Sequence, residues 1–444
     1  MLSELAGHAP QTWARRPIEE VCTRVTSGGT PSRTNKNFYK NGQWPWVKTQ
    51  ELRDCWLEKT EEYITNEAIS QSSAKVLPEQ TILLALYGAT VGQLGILRRA
   101  MTCNQACCAM IVNQKKADYR YLYYALLASR PQLKGLASGA AQQNLSGKLI
   151  REYLLPFPEL AHQHRIAHIL GTLDDKIELN RRMNETLEAL ARAIFKSWFV
   201  DFDPVRAQAE GRKPSGMNAD TAALFPASFV DSPLGKIPKG WKVKSIGELA
   251  RCVGGGTPST KNPEYWLDGN HPFATPRDMS RLESKVILDT ERHITDAGVK
   301  CISSRKLPVG TVLLSSRAPI GYLAIAETSV SINQGFIAMI CDGPLPNYYI
   351  LFWVAENMDT ILNNAGGTTF AEISKSNFRP IPALLPSQNV LERFVDMVQP
   401  LHKKIVQNLL ENKNLINIRD TLLPKLLSGE ISIKDNEKFV EASK

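Results

Sequence analysis

The chain has 444 residues, 43% of them hydrophobic, and carries a formal net charge of +9. That length exceeds one ordinary core and calls for about two to four domains, and the apolar content excludes a disordered chain. The basic balance suggests an anionic partner, nucleic acid before membrane, or equally a solvated basic surface, and no apolar run approaches the ~20 residues of a membrane span.

In chain order, RRPIEEVCTRV opens a first domain, 1–157, and SGGTP at 27–31 is a glycine-rich turn. The apolar run 81–87 reads as a buried strand, with 91–97 as its returning partner through Gly88. Tyr119 to Leu127 reads as an aromatic-rich helix, and Leu155 to Pro158 as a proline-stiffened exit. From 158 to 202, alternate steps of four and three from Ile166 reach Leu170, Leu173, Ile177, Asn180, Asn184, Leu187, Ala191, Ile194 and Trp198. This heptad-like seam predicts a single long helix that needs a helical partner. At ~1.5 Å per residue it would span about 60 Å.

Residues 203–235 are rich in Pro, Gly, Ser and Ala and read as a linker or extended crossover. A second domain over 236–386, a second long helix over 387–429 and a frayed charged tail over 430–444 follow. Pro400 predicts a break or kink in that helix.

The second half repeats the first. Thr30 of SGGTP and Thr257 of GGGTP lie 227 residues apart, and the helix seams align at 228, where Asn408 and Asn412 answer Asn180 and Asn184. Phe38-Tyr39 answers Tyr265-Trp266, Leu77-Pro78 answers Leu307-Pro308, 81–96 answers 311–325, and Asn104-Gln105 answers Asn333-Gln334. Ala191 to Arg419 is the seam's change from apolar to charged. The pattern predicts an α+β chain: two tandem mixed α/β domains joined by two long coiled-coil-like spacer helices, produced by internal duplication.

Several separated motifs carry a family resemblance: GGTPS with a following aromatic pair and W-P-W, the LPFPELAHQ helix entry, AIFKSWFVDFDPV and the closing RDTLLPKLLSGEI. Together with the repeat they resemble the DNA-specificity subunit of type I restriction-modification systems over nearly the whole chain. The resemblance implies two target-recognition domains held by two antiparallel helices. It also implies two methyltransferase subunits and restriction/translocase subunits as partners, double-stranded DNA as ligand, and S-adenosylmethionine, ATP and Mg on those partners with no cofactor in this chain.

Asn180, Asn184, Asn408 and Asn412 are candidates for fixing helix register, because a polar residue in a seam costs stability and selects one alignment. The alternative is that the seam rotates and they face water. Gly28-Gly29 and Gly254 to Gly256 could approach a phosphate backbone or make tight turns, and they match neither the P-loop nor the dinucleotide fingerprint. Arg33, Lys36, Lys48, Lys261, Arg277 and Arg317 are candidate phosphate contacts. Gln50, Gln142, Gln143, Thr275 and Arg277 suit base reading, amides matching adenine and guanidinium guanine. Phe195, Trp198, Phe199 and Phe202 exceed what the seam uses and are candidates for partner docking; a local cap under the second domain is the other reading.

No metal site is expected. His162, His164 and His168 lack an acidic third ligand at the required position, and the eight cysteines contain no CxxC pair. Asn262-Pro-Glu-Tyr265 and Asp203-Pro-Val205 fall short of an amino-methyltransferase motif. The expected chain is non-catalytic and cytoplasmic, without a secretory signal. Two alternatives from other classes stay open: a fused N6-adenine DNA methyltransferase, and a non-DNA coiled-coil scaffold with two binding heads.

Overall fold

The computed structural model describes residues 10, 12–137, 144–367 and 371–431. The chain forms two units, one made of the residues up to Ile177 together with those from Asn412 onward, the other of Glu178–Glu411. Each unit is discontinuous or complete in a different way: the first needs both distant stretches, the second is one stretch.

In the first unit a five-stranded sheet runs in the order Cys22–Ser27, Cys107–Val112, Ile82–Ala85, Leu94–Leu97, Cys55–Leu57. Neighbours are antiparallel apart from the last pair, which is parallel. A three-stranded sheet places Trp44–Val47 between Tyr63–Ile64, antiparallel, and Thr102–Cys103, parallel. The second unit repeats both sheets with the same order and sense. Its strands are Arg251–Gly254, Phe336–Ile340, Val312–Ser316, Ile320–Ala326 and Val286–Ile287, then Arg292–Ile294, His271–Ala274 and Ser331–Ile332.

The central strands are apolar without alternation because both faces of the sheet are covered. Ile82, Leu84, Leu94, Ile96 and Met110 face the helix Tyr119–Ala128 and the long helices, whereas Leu83, Ala85, Leu97 and Ala109 pack on Val47, Leu52, Leu57 and Met101. In the second unit Val312, Leu314, Leu323, Ile325, Ile337 and Met339 take the helical side, and Leu313, Ala324, Ala326 and Ala338 take the other with Ala274, Met279 and Ile332. Each such side chain fully buried contributes about 1.5–3 kcal/mol if leucine-sized. Tyr121 donates its hydroxyl to the Pro156 carbonyl at 2.6 Å and Tyr349 to Leu384 at 2.8 Å, so the aromatic helix of each unit is tied to the exit segment. Those exits are strands, Leu154–Phe157 and Pro382–Leu385, paired with Ala14–Pro17 and Lys242–Ser245.

Two helices of 40 residues, Leu160–Phe199 and Gln388–Leu427, contribute opposite ends to each unit. In the first unit Ile166 and Leu170 share a core with Leu423, Leu426 and Leu427, and Arg419 donates to Asp174 at 2.9 Å. The Asn412 amide donates to the Ile177 carbonyl at 3.3 Å. In the second unit Asn408 donates to Asn184 and Asn180 to Glu411, each at 2.8 Å, and Phe195 meets Phe394. Rising numbers on one helix meet falling numbers on the other, so the pairing within each unit is antiparallel. All four asparagines are buried, so the seam does not rotate them into water.

Three features differ from the sequence reading. The helix continues through Pro400 without interruption, with Val398 and Leu401 beside it packed in the second unit's core. The segment read as a linker is folded: Asp203–Ala209 is helical, Phe229–Ser232 and Gly235–Pro238 form a hairpin, and Val205, Phe225 and Ile237 are buried. As a result Phe195, Trp198 and Phe199, offered as docking residues, are 2–5% exposed core residues, and Phe202 packs beside them on Phe229 and Trp241. Their place in this core matches the other reading of these aromatics, a local cap under the second domain, with Phe202 left half-buried.

Candidate nucleic-acid interface

The motifs shared by the two halves meet in one place in each unit. Gly29 donates its N–H to Cys103 at 2.9 Å, and Gly256 donates to Ile332 at 3.1 Å. A Cβ on Gly28 or Gly255 would lie 2.0 Å from the carbonyl oxygen of the same acceptor residue, Cys103 or Ile332. These two glycines are therefore required by close approach to the chain's own backbone. Thr30 then donates its hydroxyl to Gln105, and Thr257 to Gln334 at 2.6 Å. Asn104 and Asn333 close the frame, donating their backbone N–H groups to Val47 at 2.9 Å and Ala274 at 3.2 Å.

Val47 and Ala274 end the strands that feed one short helical turn in each unit. In the first, Thr49–Glu51 follows Lys48. The Glu51 carboxylate accepts the Lys48 N–H at 2.7 Å through one oxygen and the Glu61 N–H at 2.9 Å through the other. In the second, Pro276–Met279 follows Thr275. Asp278 accepts the Thr275 N–H at 2.8 Å and hydroxyl at 2.6 Å through one oxygen, and the Glu291 N–H at 2.8 Å through the other. Buried Leu52 and Met279 anchor the next position. Glu51 and Asp278 were not singled out from sequence, although Thr275-Pro-Arg-Asp278 has the spacing of a capping box, which is a legible signal.

Around this turn the two units carry different charges. In the first, Arg33 lies 4.4 Å over the Tyr39 ring and pairs with Glu62, and Lys48 reaches Glu61 at 2.7 Å and Glu62 at 3.0 Å. The Arg33 hydrogen bond holds the Glu62 carboxyl below its ordinary range, against partial burial and with help from Lys48; Glu61 first, then Glu62, raises the Lys48 ammonium. In the second unit Arg292 occupies the sheet position of Glu62 and lies 3.6 Å over Trp266, the counterpart of Tyr39.

Of the other candidates, Gln50, Lys36 and Lys261 are exposed, and neither lysine has an ion pair among the described residues. Arg277 is 68% exposed, 3.7 Å from Glu291, which is held more closely by Arg281. Thr275 is committed to Asp278. Arg317 follows the end of the larger sheet's central strand, Val312–Ser316, where it bridges to Glu372 and pairs with it at 3.7 Å. Thus the structure groups Arg33 with Lys48, Lys48 with Gln50, and Thr275 with Arg277, and leaves Arg317 elsewhere. Gln142 and Gln143 lie outside the described residues.

Among the described residues no group of three or more His, Cys, Asp or Glu is arranged to hold a metal ion, and no helix is long and apolar enough to cross a membrane.

Comparison with known proteins matches residues 10–189 and 238–417 to the type I restriction modification DNA specificity domain. The chain is 27% identical to the type I restriction enzyme MjaIX specificity subunit of Methanocaldococcus jannaschii over 97% of this chain and 96% of that one. It is 31% identical to the HindI specificity subunit of Haemophilus influenzae over 62% of this chain and 69% of that one. In fold it is similar to the crystal structure of a type I restriction-modification S subunit from M. genitalium, with TM-score 0.55 and 17% identity, covering 94% of this chain and 96% of that one.

Proposed function

The chain belongs to the type I restriction modification DNA specificity family, and on that premise we propose that each of its two units reads one part of a split, asymmetric DNA site. The chain is non-catalytic. Methyl transfer and cleavage fall to partners: two methyltransferase subunits that use S-adenosylmethionine, and restriction/translocase subunits that use ATP and Mg, in the cytoplasm. The observation that carries this reading is that one backbone frame occurs twice, with Glu51 and Asp278 in the same role, while the exposed residues on it differ. A repeated frame with divergent tips suits two unlike half-sites. Both the fused methyltransferase and the non-DNA scaffold lack support in the relatives above, which are named specificity subunits.

The test is methylation mapping in cells that carry this chain with its methyltransferase subunits, before and after residues 27–155 are exchanged for the corresponding domain of another family member. Modification at a split motif, of which one half alone changes on exchange, is the expected result. Change in both halves, or an undivided motif, would overturn one-unit, one-half-site reading.

A further inference from the structure

Gln50 and Arg277 are the same position in the two units. Each is the residue just before the carboxylate that clamps its turn, and they lie 227 residues apart, the spacing of the glycine-loop threonines. Both side chains are exposed. Among the described residues Gln50 has no side-chain hydrogen bond, and the 3.7 Å separation of Arg277 from Glu291 is too long for one. Glu51 and Asp278 each fix two backbone N–H groups, one at the start of the turn and one on a neighbouring segment, and the following apolar side chain is buried, so the backbone beneath each tip is held while the tip stays exposed.

This is the arrangement that base reading requires: rigid support beneath exposed donors and acceptors, Gln50 without a side-chain hydrogen bond among the described residues and Arg277 held only by a 3.7 Å ion pair to Glu291, which Arg281 holds more closely. We infer that this turn is a base-reading element in both units, with Gln50 preferring adenine and Arg277 preferring guanine. A glutamine amide both accepts from adenine N6 and donates to N7, whereas a guanidinium donates twice, to guanine O6 and N7. The neighbouring cations differ in kind. Lys48 is committed to two glutamates, so the first unit's turn offers a neutral tip, while the second unit's turn offers a charged one. The inference rests on the DNA-reading function proposed above and assigns it to particular side chains.

The experiment uses the full chain, alone and assembled with the methyltransferase chains of its own system. Bound duplexes are selected from a random-sequence library at fixed salt and sequenced for the unaltered chain, Gln50→Arg and Arg277→Gln. Gln50→Arg should move one position of one half-site from adenine to guanine, and Arg277→Gln should move one position of the other half-site from guanine to adenine. Each preference should shift by roughly 5- to 150-fold. The unchanged half-site in each variant reports that the fold has survived. A motif unaltered at every position overturns the inference, as does affinity lost equally for all sequences, which marks a phosphate contact. If the unaltered chain selects no split motif, the proposed function itself fails, a result distinct from a split motif that neither substitution changes.

Discussion

Within the second unit the side-chain amide of Asn408 donates to the Asn184 oxygen at 2.8 Å, with both residues almost wholly buried in the helix seam. Replacing Asn184 alone by Leu leaves the Asn408 amide buried without its acceptor. The expected cost is about 1–3 kcal/mol. Replacing both by Leu should recover most of this or exceed it, because two buried polar groups vanish together, while register selection is lost. Denaturant unfolding of the two single variants and the double variant checks this through the coupling term.

The clamp under each tip predicts a separation of affinity from selectivity. Glu51→Ala removes the acceptor for both Lys48 and Glu61 N–H groups, so the turn loosens while the basic surface remains. Nonspecific, salt-sensitive binding should persist while preference within one half-site flattens. An affinity that falls without any change in motif would contradict the assignment. Asp278→Ala should do the same for the other half-site.

Glu62 gives a pH dependence of known sign. Its carboxyl is held below the usual range by Arg33 first and by Lys48 in addition. A lowered folded value stabilises above the unfolded value near 4.3, and that contribution disappears as pH falls through the folded value. Since the cluster is partly exposed, Glu62→Gln should cost no more than about 1 kcal/mol at pH 7. The difference between variant and unaltered chain should shrink on acidification below about pH 4. Unfolding measured across pH 3–7 decides it.

Lys36 and Lys261 should act through charge alone. Each substitution to Ala should weaken binding alike for all sequences and reduce the slope of log affinity against log salt by about 1. A base-specific change at either site would place it among the readers instead.

Phe195 distinguishes core from docking surface. It is 2% exposed and lies 5.2 Å from Tyr349 and 5.7 Å from Phe352, ring centre to ring centre. Phe195→Ala should therefore destabilise the second unit by about 3–5 kcal/mol, visible as an earlier unfolding transition without any partner present. Unchanged stability with lost partner binding would reinstate the docking reading.

How far the sequence could be read follows from the range of the interactions concerned. The duplication and the long seams are periodic, and periodicity is visible in a single chain: the offset between Thr30 and Thr257 recurs at Gln50 and Arg277, and the asparagines fall on the seam. The carboxylate clamps were hidden because half of each is a backbone N–H ten or more residues away, at Glu61 or Glu291, and nothing in the residue type marks it. For the aromatic group at 195–202 the sequence left docking and a local cap under the second domain both open for a related reason, and the structure matches the cap. Its cover, from Val205 to Trp241, has the Pro- and Gly-rich composition of a linker, yet its few apolar residues are the ones that pack. Pro400 was overestimated as a breaker, since packing by the flanking turns outweighs one missing hydrogen bond.

The first unit's core includes Leu423, Leu426 and Leu427, whereas Glu178–Glu411 contains everything the second unit uses. During synthesis the unit encoded first is therefore the last that can close. Ile166 and Leu170 lack the cover of Leu423, Leu426 and Leu427 until the ribosome has made the closing helix turns some 250 residues later. A premature stop near Arg419 would leave the downstream-encoded unit whole and strip the upstream one, so that nonsense damage late in the message is felt at the beginning of the chain.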